Sequence, residues 1–380
     1  MDRDILRTST QRIAGRMLSQ QYDEAGVLSA LESAYDFGRW LSVRRIDAGE
    51  SNDSWCVETE AGDIVIRRSS PLKTRQSARF ECALIDHLVG AGYPAPAVLR
   101  TRDGDAIVEI DDLEHMATRK LPGTMYERHD STHLAVAARA LSRYHHLVAG
   151  LPTTLSARES SALLDAHAVG PQKLAGALKV MVPMLGEVGR AQAETDAASL
   201  TSQMELVWRQ LDHALNDLTY LIVHGSFNAT SLLLVGDTLS GVVDFDRARH
   251  DVLGVDLAYA IEHFCRAKDQ HNVKHVDLDL YQRFLEHYRP TSPATDADIE
   301  SLPIMMRAQR LGKVAKRAGS ILTKHAVEPR QPKDAAGFAK MLDREASRLR
   351  WLETNLTGSV PTPGPTGSIT PPLDHPEENP

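Results

Sequence analysis

The octapeptide His-Gly-Ser-Phe-Asn-Ala-Thr-Ser at 224–231 constrains this chain more than any other feature. An apolar run, Leu218–Val223, precedes it, and a run of leucines follows. Past a Gly236-Asp237 turn comes Leu-Ser-Gly-Val-Val-Asp-Phe-Asp at 239–246. The apolar runs are too short for helices, so Tyr220–Asp246 reads as short strands that end in polar loops. On both sides the period is helical: Leu134–Leu147, Leu200–Leu218, Val255–Ala267, Leu278–Tyr288, Ile299–Leu322 and Asp334–Asn355. Residues 153–200 are weakly patterned and read as an insertion of short helices.

The first third reads differently. Residues 1–38 have helical spacing through Ile13, Met17, Val27, Leu28 and Leu31. Trp40–Ile46, Trp55–Glu60 and Ile64–Arg68 are strand candidates, with Ala61-Gly62-Asp63 as a hairpin turn. A helix over 76–90 follows, with Phe80, Leu84 and Leu88 on one face, and Gly92-Tyr93-Pro94 ends it. Further strands are expected near Val98–Arg100 and Ala106–Ile110, before a connector at Met116–Gly123. The organisation predicted is an N-terminal helical segment (1–34), a small sheet-rich lobe (35–122) and a larger helical lobe (123–356). The Pro-, Gly- and Ser-rich tail (357–380) is too poor in apolar surface to fold by itself. The fold class is α+β with two lobes.

Composition narrows the function. A net charge of −8 argues against binding nucleic acid through its backbone, which needs a basic surface. Cys56, Cys82 and Cys265 are far apart and form no CxxC pair, so they suggest neither a zinc site nor a disulfide framework. No apolar run is long enough for a membrane span and the N-terminus is charged, so the expectation is a cytoplasmic protein without a membrane partner.

Several residues are candidates for chemistry. Gly49-Glu50-Ser51-Asn52 joins two strands and offers backbone N–H groups to phosphates, although most such turns are only turns. Arg67 lies on the strand after it and Glu81 on the following helix. A cation fixed by an acid presents charge to phosphates. Taken singly, each is more often a surface residue. The basic stretch Arg307–Lys316 carries Arg307, Arg310, Lys313 and Lys316, and its commoner origin is a solvated helix face.

His-Gly-Ser-Phe-Asn-Ala-Thr-Ser, followed by Val-Asp-Phe-Asp and Val-Asp-Leu-Ala, resembles the aminoglycoside phosphotransferase and choline kinase superfamily, which has a protein-kinase-like fold. The N-terminal stretch from Tyr35-Asp36-Phe37-Gly38 through Gly49-Glu50-Ser51-Asn52 to Val65-Ile66-Arg67 is similar to type II homoserine kinases. The resemblance covers roughly residues 30 to 290. It implies ATP and Mg²⁺ as cofactors. It places Asp244, with Asp246, as magnesium ligands, and Gly49, Ser51 and Asn52 in the nucleotide loop. It makes Arg67 and Glu81 the phosphate-anchoring pair, and Asp256 and His224 braces of the catalytic loop.

The sequence departs from that pattern at two positions. Ser226 stands where the family has the acceptor-activating Asp, and Ser231 where it has a metal-binding Asn. A serine cannot take a proton at neutral pH, and general-base assistance is worth about 10²–10⁴-fold. Asn228 and Asp246 are possible substitutes, and the Ser231 hydroxyl is a weaker metal ligand. Two readings stay open. One is an ATP- and magnesium-dependent phosphotransferase acting on a hydroxyl of a small molecule, amino acid or peptide. The mixed and basic helices suit a neutral or acidic acceptor, and the resemblance to homoserine kinases implies Ser or Thr activation in modified-peptide biosynthesis as one case. The other is a pseudokinase that binds nucleotide or substrate and serves a protein partner.

Overall fold

A computed structural model of the chain describes residues 23–46, 53–70, 73–127, 131–152, 162–268, 274–328 and 330–356. Helix α1 (Glu24–Ala34) starts at Asp23, whose side chain accepts from Gly26 N at 3.0 Å. Strands β1 (Trp40–Ile46), β2 (Asp53–Thr59) and β3 (Ile64–Arg68) follow. Helix α2 (Arg75–Gly90) is capped by the Thr74 hydroxyl. Strands β4 (Val108–Ile110) and β5 (Leu113–Arg119) complete an antiparallel sheet of order β1-β2-β3-β5-β4.

Period-two alternation sorts this sheet's side chains. Trp55, Val57, Ile64, Ile66 and Ala117 pack with Val27, Leu31 and Tyr35 in one cluster. Met116, next to Ala117, belongs to the other face and touches Cys82 of α2. Arg67 pairs in register with Met116, so it too points to the α2 face. Phe80, Leu84 and Leu88 of α2 join the large core of the second lobe.

A two-residue strand, β6 (Thr124–Met125), leads into that lobe and pairs with β8 (Leu232–Val235). The connection is tight at Gly123, where φ is 114° and a Cβ would lie 2.5 Å from the Leu234 carbonyl. Helices α3 (Ser131–Val148), α4 (Ala162–Met181) and α5 (Glu187–Ala214) come next. Strand β7 (Tyr220–Val223) pairs with β10 (Arg249–Val252), and β8 forms a hairpin with β9 (Thr238–Val242). The chain continues through α6 (Leu253–Phe264), a small ribbon of β11 (Arg266–Lys268) and β12 (Lys274–Val276), and α7 (Leu278–Tyr288). It ends with α8 (Asp296–Glu300), α9 (Leu302–His325) and α10 (Pro332–Leu356).

The α+β class and two-lobe layout match the expectation, with three local differences. Residues 162–214 form two long helices rather than an insertion of short ones. Their packing stripe relies on small residues: a Cβ on Gly170 would meet Met204 Sδ at 3.1 Å, and one on Gly176 would meet Leu322 at 3.1 Å. Such a stripe is faint in a hydrophobicity pattern, and tertiary packing stabilises it. The second difference is β5, paired with β4 through Asp111 and Asp112, both at positive φ (53° and 60°). Such residues suit a two-residue hairpin turn. Of the expected strand at 98–100, Val98 forms only an isolated bridge to Thr118. Third, the helix expected over 299–322 is broken at Ser301, with a proline opening α9. The nucleotide-loop residues Gly49, Ser51 and Asn52, most of the 1–34 segment and the tail from Thr357 lie outside the described residues.

Candidate active site

The octapeptide leaves β7 and is fixed from below by Asp256, in the first turn of α6. Asp256 is fully buried and accepts from the backbone N–H of His224 and, at 2.7 Å, from that of Gly225. His145 of α3 adds Nε2 at 3.3 Å from the same carboxylate, while its Nδ1 lies 2.6 Å from the Tyr288 hydroxyl. Burial pushes the Asp256 carboxyl up. The hydrogen bonds from the His145 ring and from the loop's backbone N–H groups outweigh it and hold the pKa below its usual value. The His224 ring is buried among Tyr144, Phe227 and Phe245, with Nε2 3.1 Å from the Val243 carbonyl. Burial lowers its pKa, so the ring is neutral and Nε2–H donates to that carbonyl.

Gly225 makes the loop possible. Its φ is 81°, and a Cβ would sit 2.4 Å from the Arg247 carbonyl and 2.8 Å from Arg249 Nη1. Arg249 grips Asp251 with Nε at 2.9 Å and Nη2 at 2.8 Å, and also donates to the Arg247 carbonyl at 3.3 Å. The two loops are thus interlocked by backbone contact. Replacing Gly225 by alanine is expected to cost about 1–3 kcal/mol from backbone strain alone, with the overlap adding to it. Thermal denaturation of the variant checks this, and an unchanged midpoint would show that the loops are not locked here.

The serines of the octapeptide face inward. Ser226 Oγ donates to the Asp244 carbonyl at 3.2 Å, with His224 Nδ1 3.5 Å away. Ser231 is fully buried, and its hydroxyl donates to the Ser226 carbonyl at 3.0 Å. Asn228 Nδ2 donates to the same carbonyl at 2.8 Å, and its Oδ1 accepts from Thr230 N at 2.8 Å. None of the three lines the cleft between the lobes. They hold the loop's shape, and Ser226 meets the acidic pair described next only through the Asp244 backbone carbonyl.

That pair is Asp244 and Asp246. Asp244 is exposed and takes a left-handed conformation at φ 73°, ψ 56°, while the following Phe245 is buried against His224. Aspartate tolerates this region better than most residues. The surrounding cleft withdraws water from the Asp244 carboxyl and Asp246 repels its charge, so the pKa rises to about 6 against the pull of Arg67. Two mutually repelling carboxylates are hard oxygen donors. Magnesium is usually held by one or two carboxylates plus substrate phosphates rather than by an all-protein cage. Among the described residues no group of three or more His, Cys, Asp or Glu could hold a metal. A pair of carboxylates is a donor set that would fit Mg²⁺ held in this way.

Across the cleft, Glu81 of α2 is paired with Arg67 of β3 and also with Lys73. Burial opposes the charge on both Arg67 and Glu81. Glu81, then Asp246 and Asp244, raise the Arg67 pKa, while Arg67 and Lys73 lower that of Glu81. Lys73 is the participant that sequence reasoning missed, because it lies ahead of the helix cap with no periodic link to Glu81.

Lys73, Glu81, Gly225 and Asp246 border one cleft of about 1410 Å³. Single-ligand pockets typically run ~300–1,000 Å³, so there is room for two reactants. Lys73 and Glu81 line one side; Gly225 and Asp246 line the floor; Tyr259, Lys313 and Lys316 line the other side. Of the four cations in the basic stretch of α9, only Lys313 and Lys316 reach the cleft. Arg307 is buried against Gln203, and Arg310 pairs with Glu262 at 2.7 Å. Among the described residues no helix is long and apolar enough to cross a membrane.

The chain is 24% identical over 312 residues to the homoserine kinase of Parvibaculum lavamentivorans, covering 81% of this chain and 90% of the relative. It is 26% identical over 285 residues to that of Rhodospirillum rubrum, covering 74% and 81%. Among solved structures, a microcompartment-associated aminopropanol kinase superposes with a TM-score of 0.65 at 16% identity over 87% of this chain and 98% of that one. An amicoumacin kinase in complex with AMP-PNP, Ca²⁺ and Ami gives 0.63 at 13% identity over 89% and 96%. Residues 42–298 match the model of the phosphotransferase enzyme family, and the chain belongs to that family.

Proposed function

We propose that this protein transfers the terminal phosphoryl group of ATP, with Mg²⁺, to a hydroxyl of a small molecule. The observation that carries this reading is a single cleft lined by Lys73, by Glu81, which also pairs with Arg67, and by Asp246. Arg67 and Lys73, pinned by Glu81, bind and orient the phosphates. Asp244 and Asp246 hold the metal, which when bound neutralises charge on the phosphate oxygens. Asp256 and His224 keep the loop rigid beneath them. The names of the curated relatives, homoserine kinases, make an amino-acid hydroxyl the first acceptor to try.

Phosphoryl transfer is mostly positioning and electrostatics, so a site without a strong base at residue 226 retains a route to reaction. The test is a mass-shift assay with ATP, Mg²⁺ and a panel of hydroxyl acceptors that includes L-homoserine. Transfer to at least one acceptor is expected. Binding of ATP without transfer to any acceptor would favour the alternative, a nucleotide-binding partner protein that lacks the acceptor-activating carboxylate.

Ser226 gives a sharper check. Its hydroxyl is engaged with the Asp244 carbonyl, so Ser226→Ala is expected to leave the transfer rate within about 10-fold, as loss of one ordinary hydrogen bond implies. A carboxylate cannot donate to that carbonyl and must turn elsewhere. Ser226→Asp is therefore expected to raise kcat by ~10²-fold, the lower end of general-base assistance. An unchanged rate in Ser226→Asp would mean that position 226 does not address the acceptor.

A further inference from the structure

The side of the cleft opposite Lys73 and Glu81 is built by α4 and α9. Gln309, Lys313 and Lys316 follow one another at four and three residues along α9, so they share one helical face, and all three line the cleft. Lys173 of α4 lines it too. Its side chain crosses Gly319, where a Cβ would lie 3.4 Å from Lys173 Cδ and 3.9 Å from Nζ. Glycine at 319 thus leaves space for the lysine to lie one helical turn from Lys316.

The charges of this wall are unequally matched. Lys313 is answered by Glu262 at 2.9 Å, and the same carboxylate holds Arg310. Neither Lys173 nor Lys316 has an ion pair or side-chain hydrogen bond to any described residue. No carboxylate of α4 or α9 lines the cleft among the described residues. The carboxylates that do, Glu81 and Asp246, belong to the phosphate-and-metal side. A second observation is independent of charge. Gln309 is 8% exposed, its Nε2 donates to the Val255 carbonyl, and its Oε1 is buried with no partner among the described residues. A buried acceptor left unpaired is costly. In a cleft wall, a donor carried by a ligand would satisfy it.

We infer that the acceptor carries an oxyanion: it is a hydroxyl compound whose carboxylate or phosphate binds Lys173 and Lys316 while a hydroxyl or ammonium on it donates to Gln309 Oε1. This rests on the phosphotransferase reading and adds the acceptor's charge to it. A carboxylate and a phosphate would both satisfy two lysines, so both belong in the test. A cationic acceptor would face two unanswered positive charges.

Calorimetry on the full chain saturated with Mg²⁺ and AMP-PNP separates the possibilities. The probes are L-homoserine and its methyl ester, D-glycerate, glycerol 3-phosphate and glycerol. At least one probe that bears an oxyanion is expected to bind ~10-fold or more tightly than its counterpart without one, on the scale of charge-assisted hydrogen bonds. L-homoserine and D-glycerate report a carboxylate, and glycerol 3-phosphate reports a phosphate. The double variant Lys173→Gln/Lys316→Gln should lose that preference while still binding AMP-PNP, which shows that it is folded. Gln309→Leu should weaken the hydroxylated anions further. The inference is overturned if acid and ester bind equally, if the double variant keeps the preference, or if no anion binds to protein that binds AMP-PNP. Failure to bind AMP-PNP would instead strike the phosphotransferase reading.

Discussion

Asp256→Ala is expected to lower the free energy of unfolding by about 3–5 kcal/mol, the scale found when one partner of a buried charged cluster is removed. The carboxylate serves the N–H groups of His224 and Gly225 and the ring of His145 at once. Alanine leaves these donors buried without an acceptor, which adds to the loss of charge pairing. Asp256→Asn keeps the shape but turns one acceptor into a donor, so it should fall between wild type and alanine. Denaturant unfolding followed by circular dichroism gives the comparison. The pKa is lowered in the fold, so the Asp256 contribution is complete above the ordinary carboxylate value of about 3.9 and is lost as the pH falls through the lower folded-state value. At neutral pH the full effect should be seen. A loss of less than about 1 kcal/mol, the size of a single ordinary hydrogen bond, would mean that the loop does not depend on this brace.

Asp244→Asn is expected to do the opposite, leaving the fold intact and removing activity. Asp244 is exposed and left-handed, and asparagine is as well suited as aspartate to that backbone region. The melting temperature should therefore barely move. Phosphoryl transfer should fall by about 10²–10³-fold, the size of effect seen when a preorganised electrostatic group is lost. Affinity for ATP should also become less sensitive to added magnesium. Single-turnover assays with wild type and variant read the first effect, and calorimetry with and without the metal reads the second. Transfer at the wild-type rate would remove Asp244 from the metal site.

Much of the architecture was legible because it obeys local periodicities. Leu278–Tyr288 is a helix over the residues its apolar spacing marks, and Trp40–Ile46 and Ile64–Arg68 are strands as their composition suggests. What was not legible depended on packing or on unusual backbone. Two of the missed features, the α4–α5 pair and the β4–β5 hairpin, lean on a glycine of α4 that fits against Met204 and on aspartates at positive φ. Neither signal has a hydrophobic period.

The candidate site divides the same way. Its motif residues were visible because Gly225, Asp244 and Asp256 stand at fixed offsets in an uncommon string. The string could not say where the serines point. The structure turns Ser226 and Ser231 inward onto backbone carbonyls, so the substitutions reshape the loop's interior and do not simply place a weaker group in the cleft.

The sequence alone determined the two-lobe α+β class and the order of its motifs, because both are written in short-range patterns. The tertiary structure decided which charges meet. Lys73 reaches Glu81, Arg310 turns inward to Glu262, and Lys173 from one helix lies over Gly319 of another. The physical reason is that an ion pair or an unpaired cation depends on distances across the fold, which no spacing along the chain records.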